Sequence, residues 1–366
     1  MKIIISANTS WNIFNFRSGL INKLINRGHE ITIVSIKDEY TKKLINIGCN
    51  FIEVKFSRTG INPLSEFLII LKIFLIFFKI KPNALLTFTI KPVIYFSLVN
   101  LFFKVKIINT ITGLGNLFIE KKKILRFIII IFYKIFNKNY YYFFHNKYDY
   151  RYFRKHKIVK NNYRIVPGSG VNTVKNQFNE NFIFNKNLRF LFIGRLIDEK
   201  GFNLYVESAK YFQNHQNIKF YYVGNYDFKK KCKFNQKDMM ALEEKGIIYG
   251  IEFTDDIKKI IVESNCIILP SLREGLAHSL LLASALGRPM IVSNVPGLKD
   301  IVKNNINGFL FAKGDIEDLI NKIKIFINLH ENEIKKMSKL SREIAVNNFD
   351  EKIVINEYLN ILDENK

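Results

Sequence analysis

Glu274 stands in a short loop, residues 270–275, between an apolar run at 266–269 and a helical stretch that opens near Ala277 and ends at Gly287. A second apolar run, 289–293, stops at Pro296-Gly297. The order predicts a strand–helix–strand unit whose helix begins on a loop carrying Arg273, Glu274 and Gly275. Helix N-termini present unpaired backbone N–H groups and a positive dipole end, so the mouth of this helix suits an anion. The carboxylate of Glu274 suits the protons of hydroxyl groups. A diphosphate joined to a sugar meets both requirements.

A second cluster lies at Gly194-Arg195-Leu196-Ile197-Asp198-Glu199-Lys200-Gly201. It follows an apolar run at 188–193 and precedes a helical stretch at 204–212. Two cations five residues apart, in a turn flanked by glycines, can aim at one point. Arginine offers a planar fork to phosphate oxygens and lysine adds a point charge. Where a nucleoside diphosphate departs, negative charge grows as the bond breaks, and cations placed there favour the transition state over the ground state.

The elements that must hold these groups follow from periodicity. Short apolar runs at 2–6, 30–36, 84–88 and 106–109 read as strands. Helical spacing of Leu20, Ile21, Leu24 and Ile25 marks a helix over 17–26. The alternation restarts after Asn172, with strands at 188–193 and 218–223, the latter ending at Gly224-Asn225. Two α/β halves, each a parallel sheet with helices on both faces, are predicted. A polar stretch at 176–181 would join them, and a final helix is expected over 351–362. Asp255 and Asp256 read as a helix N-cap and first turn.

Charge divides the chain. Residues 1–180 carry 29 Lys+Arg against 8 Asp+Glu, and residues 181–366 carry 27 against 24. A basic first half implies an anionic partner. Lysines threaded through the apolar runs 67–79 and 124–134 favour a membrane surface over nucleic acid, for which no recognition motif is present. Neither run has the roughly 18 uninterrupted apolar residues of a membrane span. Residues 124–134, flanked by Lys121, Lys122 and Lys123, read as a helix lying on a bilayer; 67–78 fits that role or a core helix equally. Three cysteines without metal-ligand spacing indicate a reducing compartment, and the opening residues read as a strand rather than a secretory leader.

The segment Ser271-Leu272-Arg273-Glu274-Gly275-Leu276-Ala277-His278 through Pro289 closely resembles the signature of the family-4 retaining glycosyltransferases of GT-B fold. The turn Gly194–Gly201 is similar to that family's G-R-x-x-x-x-K-G motif. The resemblance implies two Rossmann-like domains facing across a cleft. Residues 1–174 would form an acceptor-binding, membrane-facing domain and 175–345 a nucleotide-sugar-binding domain, with 346–366 crossing back to the first. It implies Arg195 and Lys200 as diphosphate ligands and Glu274 as the group that meets the donor sugar and stabilises positive charge at its anomeric carbon. The backbone of Gly275, Leu276 and Ala277 would bind diphosphate, His278 occupies a position where many relatives carry arginine, and Gly224-Asn225 would border the base pocket. The family carries a second glutamate eight positions after the first; here it is Leu282, which leaves open a donor-altered or non-catalytic protein, or a sugar-nucleotide epimerase or hydrolase.

Four further segments, Phe14-Asn15-Phe16-Arg17, Thr87–Pro92, Thr110–Gly115 and Val166–Asn172, resemble the subgroup that extends polyprenyl-diphosphate-linked oligosaccharides in bacteria, including N-acetylgalactosaminyltransferases. The implied activity is transfer of a hexose or N-acetylhexosamine from a UDP-sugar to a lipid-diphosphate-linked saccharide, with no cofactor or metal. The implied setting is the cytoplasmic face of the plasma membrane, bound peripherally to an anionic surface. Asn15, Arg17 and Lys91 are candidates for acceptor or phosphate contact. Arg17 is read here as lying at the start of the first helix, where a cation opposes the dipole unless it holds an anion.

Overall fold

Strands whose residues are buried on both faces must be covered by helices on both sides, and the apolar runs Ala84–Phe88 and Cys266–Leu269, fully buried, meet that condition. The computed structural model describes all residues except 57–61, 114–122, 136–139, 180–186, 228–230, 253, 255, 365 and 366. Leu114, Gly115, Lys121, Lys122, Asp255 and the end of the expected linker (180 and 181) lie outside the described residues.

The first unit comprises Met1–Ser169 and Glu351–Lys366. Its strands are β1 (Lys2–Ser6), β2 (Glu30–Ser35), β3 (Asn50–Glu53), β4 (Ala84–Phe88), β5 (Lys106–Ile111), β6 (Tyr141–Phe144) and β7 (Tyr163–Ile165). Its helices are α1 (Ser10–Asn26), α2 (Tyr40–Asn46), α3 (Pro63–Ile80), α4 (Ile90–Phe103), α5 (Lys123–Ile135) and α6 (Lys147–Lys155). The sheet is parallel in the order β3-β2-β1-β4-β5-β6-β7, with Ile5 in register with Ile33 on one side and Leu86 on the other.

The second unit is Gly170–Asp350. Its strands are β8 (Leu188–Ile193), β9 (Ile218–Val223), β10 (Tyr249–Ile251), β11 (Cys266–Leu269), β12 (Met290–Ser293) and β13 (Gly308–Phe311). Its helices are α7 (Phe202–Tyr211), α8 (Gln236–Glu244), α9 (Ile257–Val262), α10 (His278–Ala285), α11 (Leu298–Ile301), α12 (Ile316–Ile327) and α13 (Glu331–Phe349). Its parallel sheet runs β10-β9-β8-β11-β12-β13. Asp256 precedes α9 at the N-cap position without a side-chain capping bond.

The units divide at Ser169/Gly170 and Asp350/Glu351, whereas the sequence suggested 174/175 and 345/346. Long-range bonds account for the difference. Val171 N donates to Phe349 O at 2.8 Å, and Arg342 donates to the carbonyls of Thr173 and Asn176 at 2.9 and 2.7 Å, which ties 170–176 to α13.

The last helix, α14 (Glu351–Asp363), belongs to the first unit. Tyr358 is fully buried against Phe143, with ring centroids 4.5 Å apart, and its hydroxyl meets Thr110 Oγ1 at 2.5 Å. Lys106 Nζ donates to the carbonyl of Ile361 at 2.8 Å, placing a cation where helix carbonyls lack partners.

The two lysine-bearing apolar runs are both two-faced helices. Helix α3 buries Ile73, Ile76 and Phe77 and exposes a row of large apolar side chains. Helix α5 buries Ile129, Ile130 and Tyr133 and exposes Phe127, Ile131 and Ile135. Among the described residues no helix is long and apolar enough to cross a membrane.

Candidate active site

In the second unit the chain leaves β8 for β9 and β10 on one side, then crosses back to build β11, β12 and β13 on the other. The loops after β8 and β11 therefore diverge from neighbouring strands, the switch point where open α/β sheets bind ligands. Both chemistry-bearing clusters are those two loops.

They are locked together through the backbone. Leu272 N donates to Glu199 O at 3.0 Å, and Ser271 Oγ donates to the same carbonyl at 3.3 Å. Gly201 has φ +71°, and a Cβ built there would lie 1.9 Å from the Pro270 carbonyl oxygen. A third loop closes in from β12: at Gly297, φ +85°, a Cβ would lie 2.4 Å from the Gly275 oxygen. Only glycine permits these approaches.

The side chains follow from this packing. Lys200 ends a 3-10 turn, Asp198–Lys200, and its Nζ meets Glu274 Oε1 at 2.5 Å. The carboxylate keeps 9% of its surface and the lysine 22%. Beside Glu274, α10 starts at His278 after an extended Ala277, with no side-chain capping bond at its N-terminus. An ammonium, a carboxylate and a helix mouth thus share one corner. Arg195 lies on the same turn but reaches Asp227 Oδ2 at 3.0 Å, with half of its side chain exposed. An exposed pair of this kind contributes little stability, so phosphate oxygens can compete for the guanidinium. Gly224 backs onto the turn: a Cβ there would lie 1.8 Å from Gly194 O, and Leu196 N donates to Asn225 O at 3.1 Å. Gly224 and Asn225 therefore border the Arg195 turn, on the side away from β11.

Leu282, at the second motif position, is 8% exposed and packs in the core of this unit. His278 lies four residues before it, on the same helix face and partly exposed.

The first unit repeats the topology, with its switch point between β1 and β4. At the end of β4, Thr89 takes φ +67°, ψ 159°, an outlier for a β-branched residue, which costs about 1–3 kcal/mol and is typical of functional turns. Arg17 is brought to this edge, its guanidinium 4.2 Å from the centroid of the Phe88 ring. It is 3% exposed, its Nε has no hydrogen-bond partner, and among the described residues no carboxylate pairs with it. Burial lowers its pKa, opposed by the hydroxyl of Tyr358.

The helix-start reading of Arg17 is wrong: α1 begins at Ser10 with Thr9 as its cap, so Arg17 lies two turns inside. What remains is a stronger argument, because a buried cation without a counter-charge is costly until an anion arrives. Asn15 does not join it. Two residues away on the helix it is turned to solvent, and its amide donates to Trp11 O at 3.0 Å. Lys91 donates to the buried carboxylate of Glu66, which also accepts from Tyr95, so it ties α4 to α3.

His145, at the end of β6, went unnoticed in the sequence, where a lone histidine after an aromatic run carries no signal. It is buried with Nε2 unpartnered, and burial, with the nearby Arg17 charge, pushes its pKa down to about 3. Between pH 6.5 and 3 the unfolded chain takes up a proton that the folded chain refuses, so stability falls as pH drops, by about 1.4 kcal/mol per unit. We expect His145→Gln to show a smaller loss of Tm between pH 7.5 and 5.0 than the parent protein, the difference corresponding to about 2 kcal/mol. Equal losses in thermal denaturation of the two proteins would refute this account.

Comparisons with known proteins follow the same division. The family model described as "Glycosyl transferases group 1" matches residues 173–344, and "Glycosyl transferase 4-like" matches residues 2–145. The chain is 26% identical, over 99% of its length and 98% of the relative's, to N,N'-diacetylbacillosaminyl-diphospho-undecaprenol alpha-1,3-N-acetylgalactosaminyltransferase of Campylobacter jejuni. It is 33% identical, over 44% of its length and 41% of the relative's, to UDP-Gal:alpha-D-GlcNAc-diphosphoundecaprenol alpha-1,3-galactosyltransferase of Escherichia coli. Among solved structures, HepE of Anabaena in complex with UDP superposes with a TM-score of 0.81 at 13% identity over the full length of both chains. Sucrose-phosphate synthase of Thermosynechococcus elongatus gives 0.78 at 16% identity, covering 100% of this chain and 98% of that one.

Proposed function

We propose, from the premise that this chain is a glycosyltransferase of GT-B fold, that it moves a hexose or N-acetylhexosamine from a UDP-sugar to a lipid-diphosphate-linked saccharide, with retention at the anomeric carbon. The observation that carries the reading is the Lys200–Glu274 pair at the mouth of α10. The donor diphosphate lies against the amides of Gly275, Leu276 and Ala277, with Lys200 and Arg195 on its oxygens. As the glycosidic bond breaks, its electron pair passes to the diphosphate, and these groups take up the new charge. Glu274 meets hydroxyls of the donor sugar and offsets positive charge at the anomeric carbon. A leaving diphosphate oxygen accepts the proton of the acceptor hydroxyl on the same face, so no enzymic nucleophile is required. We assign the neutralisation of charge to the two cations, and the rate should not change on adding EDTA.

The acceptor class is supported by the substrates in the names of the Campylobacter and Escherichia relatives and by the basic character of residues 1–180. Arg17 is the residue we assign to acceptor phosphate. The same acceptor implies peripheral work at the inner face of the membrane, in the assembly of a surface polysaccharide or glycoprotein glycan.

The purified protein should be incubated with a panel of UDP-sugars and a short-chain prenyl-diphosphate-linked saccharide. Transfer from one donor, with a product anomer matching that donor, is the expected result. Arg17→Met should raise the acceptor KM at least about tenfold while leaving UDP affinity near its starting value, since a guanidinium–phosphate contact is charge-assisted. A soluble product formed without acceptor would instead mark an epimerase or hydrolase. No binding of any nucleotide sugar by calorimetry, restored by Leu282→Glu, would mark a non-catalytic protein.

A further inference from the structure

Helix α3 carries six exposed large apolar side chains, Leu64, Phe67, Leu68, Leu71, Leu75 and Phe78, each between 44% and 69% exposed. At 100° per residue they fall within about 100° of one another, in one stripe about 21 Å long. The opposite side of the helix holds Ile73, Ile76 and Phe77 in the core, so the stripe is not a loosely packed core face. The surface extends onto α4 through Phe74, whose ring lies 5.8 Å from that of Phe102, itself 73% exposed.

The exposed charges of α3 and α4 beside the stripe have one sign. Lys72 and Lys79 are exposed along one flank. Lys81 and Lys104 follow the C-termini of α3 and α4 in the left-handed conformation, φ 52° and 55°, where glycine or asparagine is usual, and both are exposed. The only acid of α3, Glu66, is turned inward onto Lys91, and α4 contains none. An apolar stripe bordered by cations, on helices that expose no carboxylate, is complementary to acyl chains beneath anionic headgroups. A second copy of the chain fits less well, because a two-fold contact through this face would set the same lysines against one another.

We propose that the exposed stripe of α3, with Phe102 at the end of α4, inserts into the headgroup layer of an anionic bilayer and holds the enzyme where its lipid-linked acceptor lies. The inference rests on the acceptor class proposed above. It adds α3, which the sequence left open between core and bilayer, to the membrane reading of 124–134.

The test is flotation of the full-length protein with vesicles of phosphatidylcholine and phosphatidylglycerol at 7:3. The combined variant Phe67→Gln, Leu71→Gln and Phe78→Gln should bind at least about tenfold more weakly at both low and high salt, given the apolar surface withdrawn from lipid. Lys72→Gln with Lys79→Gln should weaken binding mainly at low salt, where surface charges are least screened. All substituted groups are exposed, and an unchanged Tm confirms that each variant folds. Transfer to a short-chain, water-soluble acceptor should be unaltered in both variants. Flotation of the apolar variant equal to the parent's overturns the proposal, as does loss of a dimer on gel filtration without loss of flotation, which would make the stripe a contact between copies. If the parent floats through α3 yet glycosylates no lipid-diphosphate acceptor, the acceptor reading fails and the docking surface stands. If it glycosylates the short-chain acceptor but does not float, the reverse holds.

Discussion

Replacing Glu274 by glutamine is expected to lower kcat for sugar transfer by about 10²–10³, the effect of removing a group that acts mainly on the transition state. The amide keeps the shape of the side chain but not its charge, so it can no longer offset positive charge at the anomeric carbon. UDP affinity should hold or tighten, because Lys200 loses the carboxylate that now engages it at 2.5 Å. Lys200→Met should also cost about 10²–10³ in kcat/KM, but with weaker UDP binding, since the lost group faces diphosphate. The double variant should lose little more than the worse single one, as partners in contact are not additive. Arg195→Ala, half exposed and already paired with Asp227, should cost only about tenfold. Steady-state kinetics and UDP calorimetry on the four variants read all of these. A Glu274→Gln enzyme retaining more than a tenth of the parent kcat would remove this carboxylate from the chemistry.

Gly201→Ala should be among the most destabilising single substitutions in the second unit, although it deletes no interaction. The backbone has φ +71°, and the added Cβ would sit 1.9 Å from the Pro270 carbonyl oxygen. A left-handed alanine costs about 1–2 kcal/mol, and the collision adds about 1–3 kcal/mol as backbone is displaced. The sum, about 2–5 kcal/mol, corresponds to a fall in Tm of roughly 5–15 °C for a unit of this size. The same displacement parts the Lys200 turn from the Glu274 loop, so activity should drop at temperatures where the variant is still folded. Calorimetric scans of parent and variant decide the matter, and a Tm within 2 °C of the parent's would show that the two loops are not held by this approach.

Much of the second unit was legible because its punctuation is local. Apolar runs ending at Gly194, Gly224 and Pro270 mark strand ends, and parallel strands place their following loops at one edge of the sheet. Arg195, Lys200 and Glu274 could be named on that basis, with Gly275, Leu276 and Ala277 as the helix mouth. The first unit was harder. Arg17 was singled out for a helix end that lies seven residues earlier, at Ser10. Asn15 was grouped with Arg17 by sequence neighbourhood, which on a helix separates side chains instead of joining them. Nothing local announced His145 or the strained Thr89, because their distinction lies in burial and in φ. The run 67–78 could be read as core or as bilayer helix because α3 buries one apolar face and exposes another.

The residue order by itself determined the alternation of strands and helices, the glycines that permit sharp turns, the types of group able to handle a diphosphate and a sugar, and the basic character of the first half. Tertiary structure alone decided that Lys200 meets Glu274 while Arg195 meets Asp227, that Lys91 is held by Glu66, and that Arg17 is buried with no counter-ion among the described residues. The physical reason is that pairing and desolvation depend on which strands become neighbours. β8 lies beside β11 because the chain crosses back over its own sheet, and no short-range pattern encodes which of several cations that crossing will set against a given carboxylate.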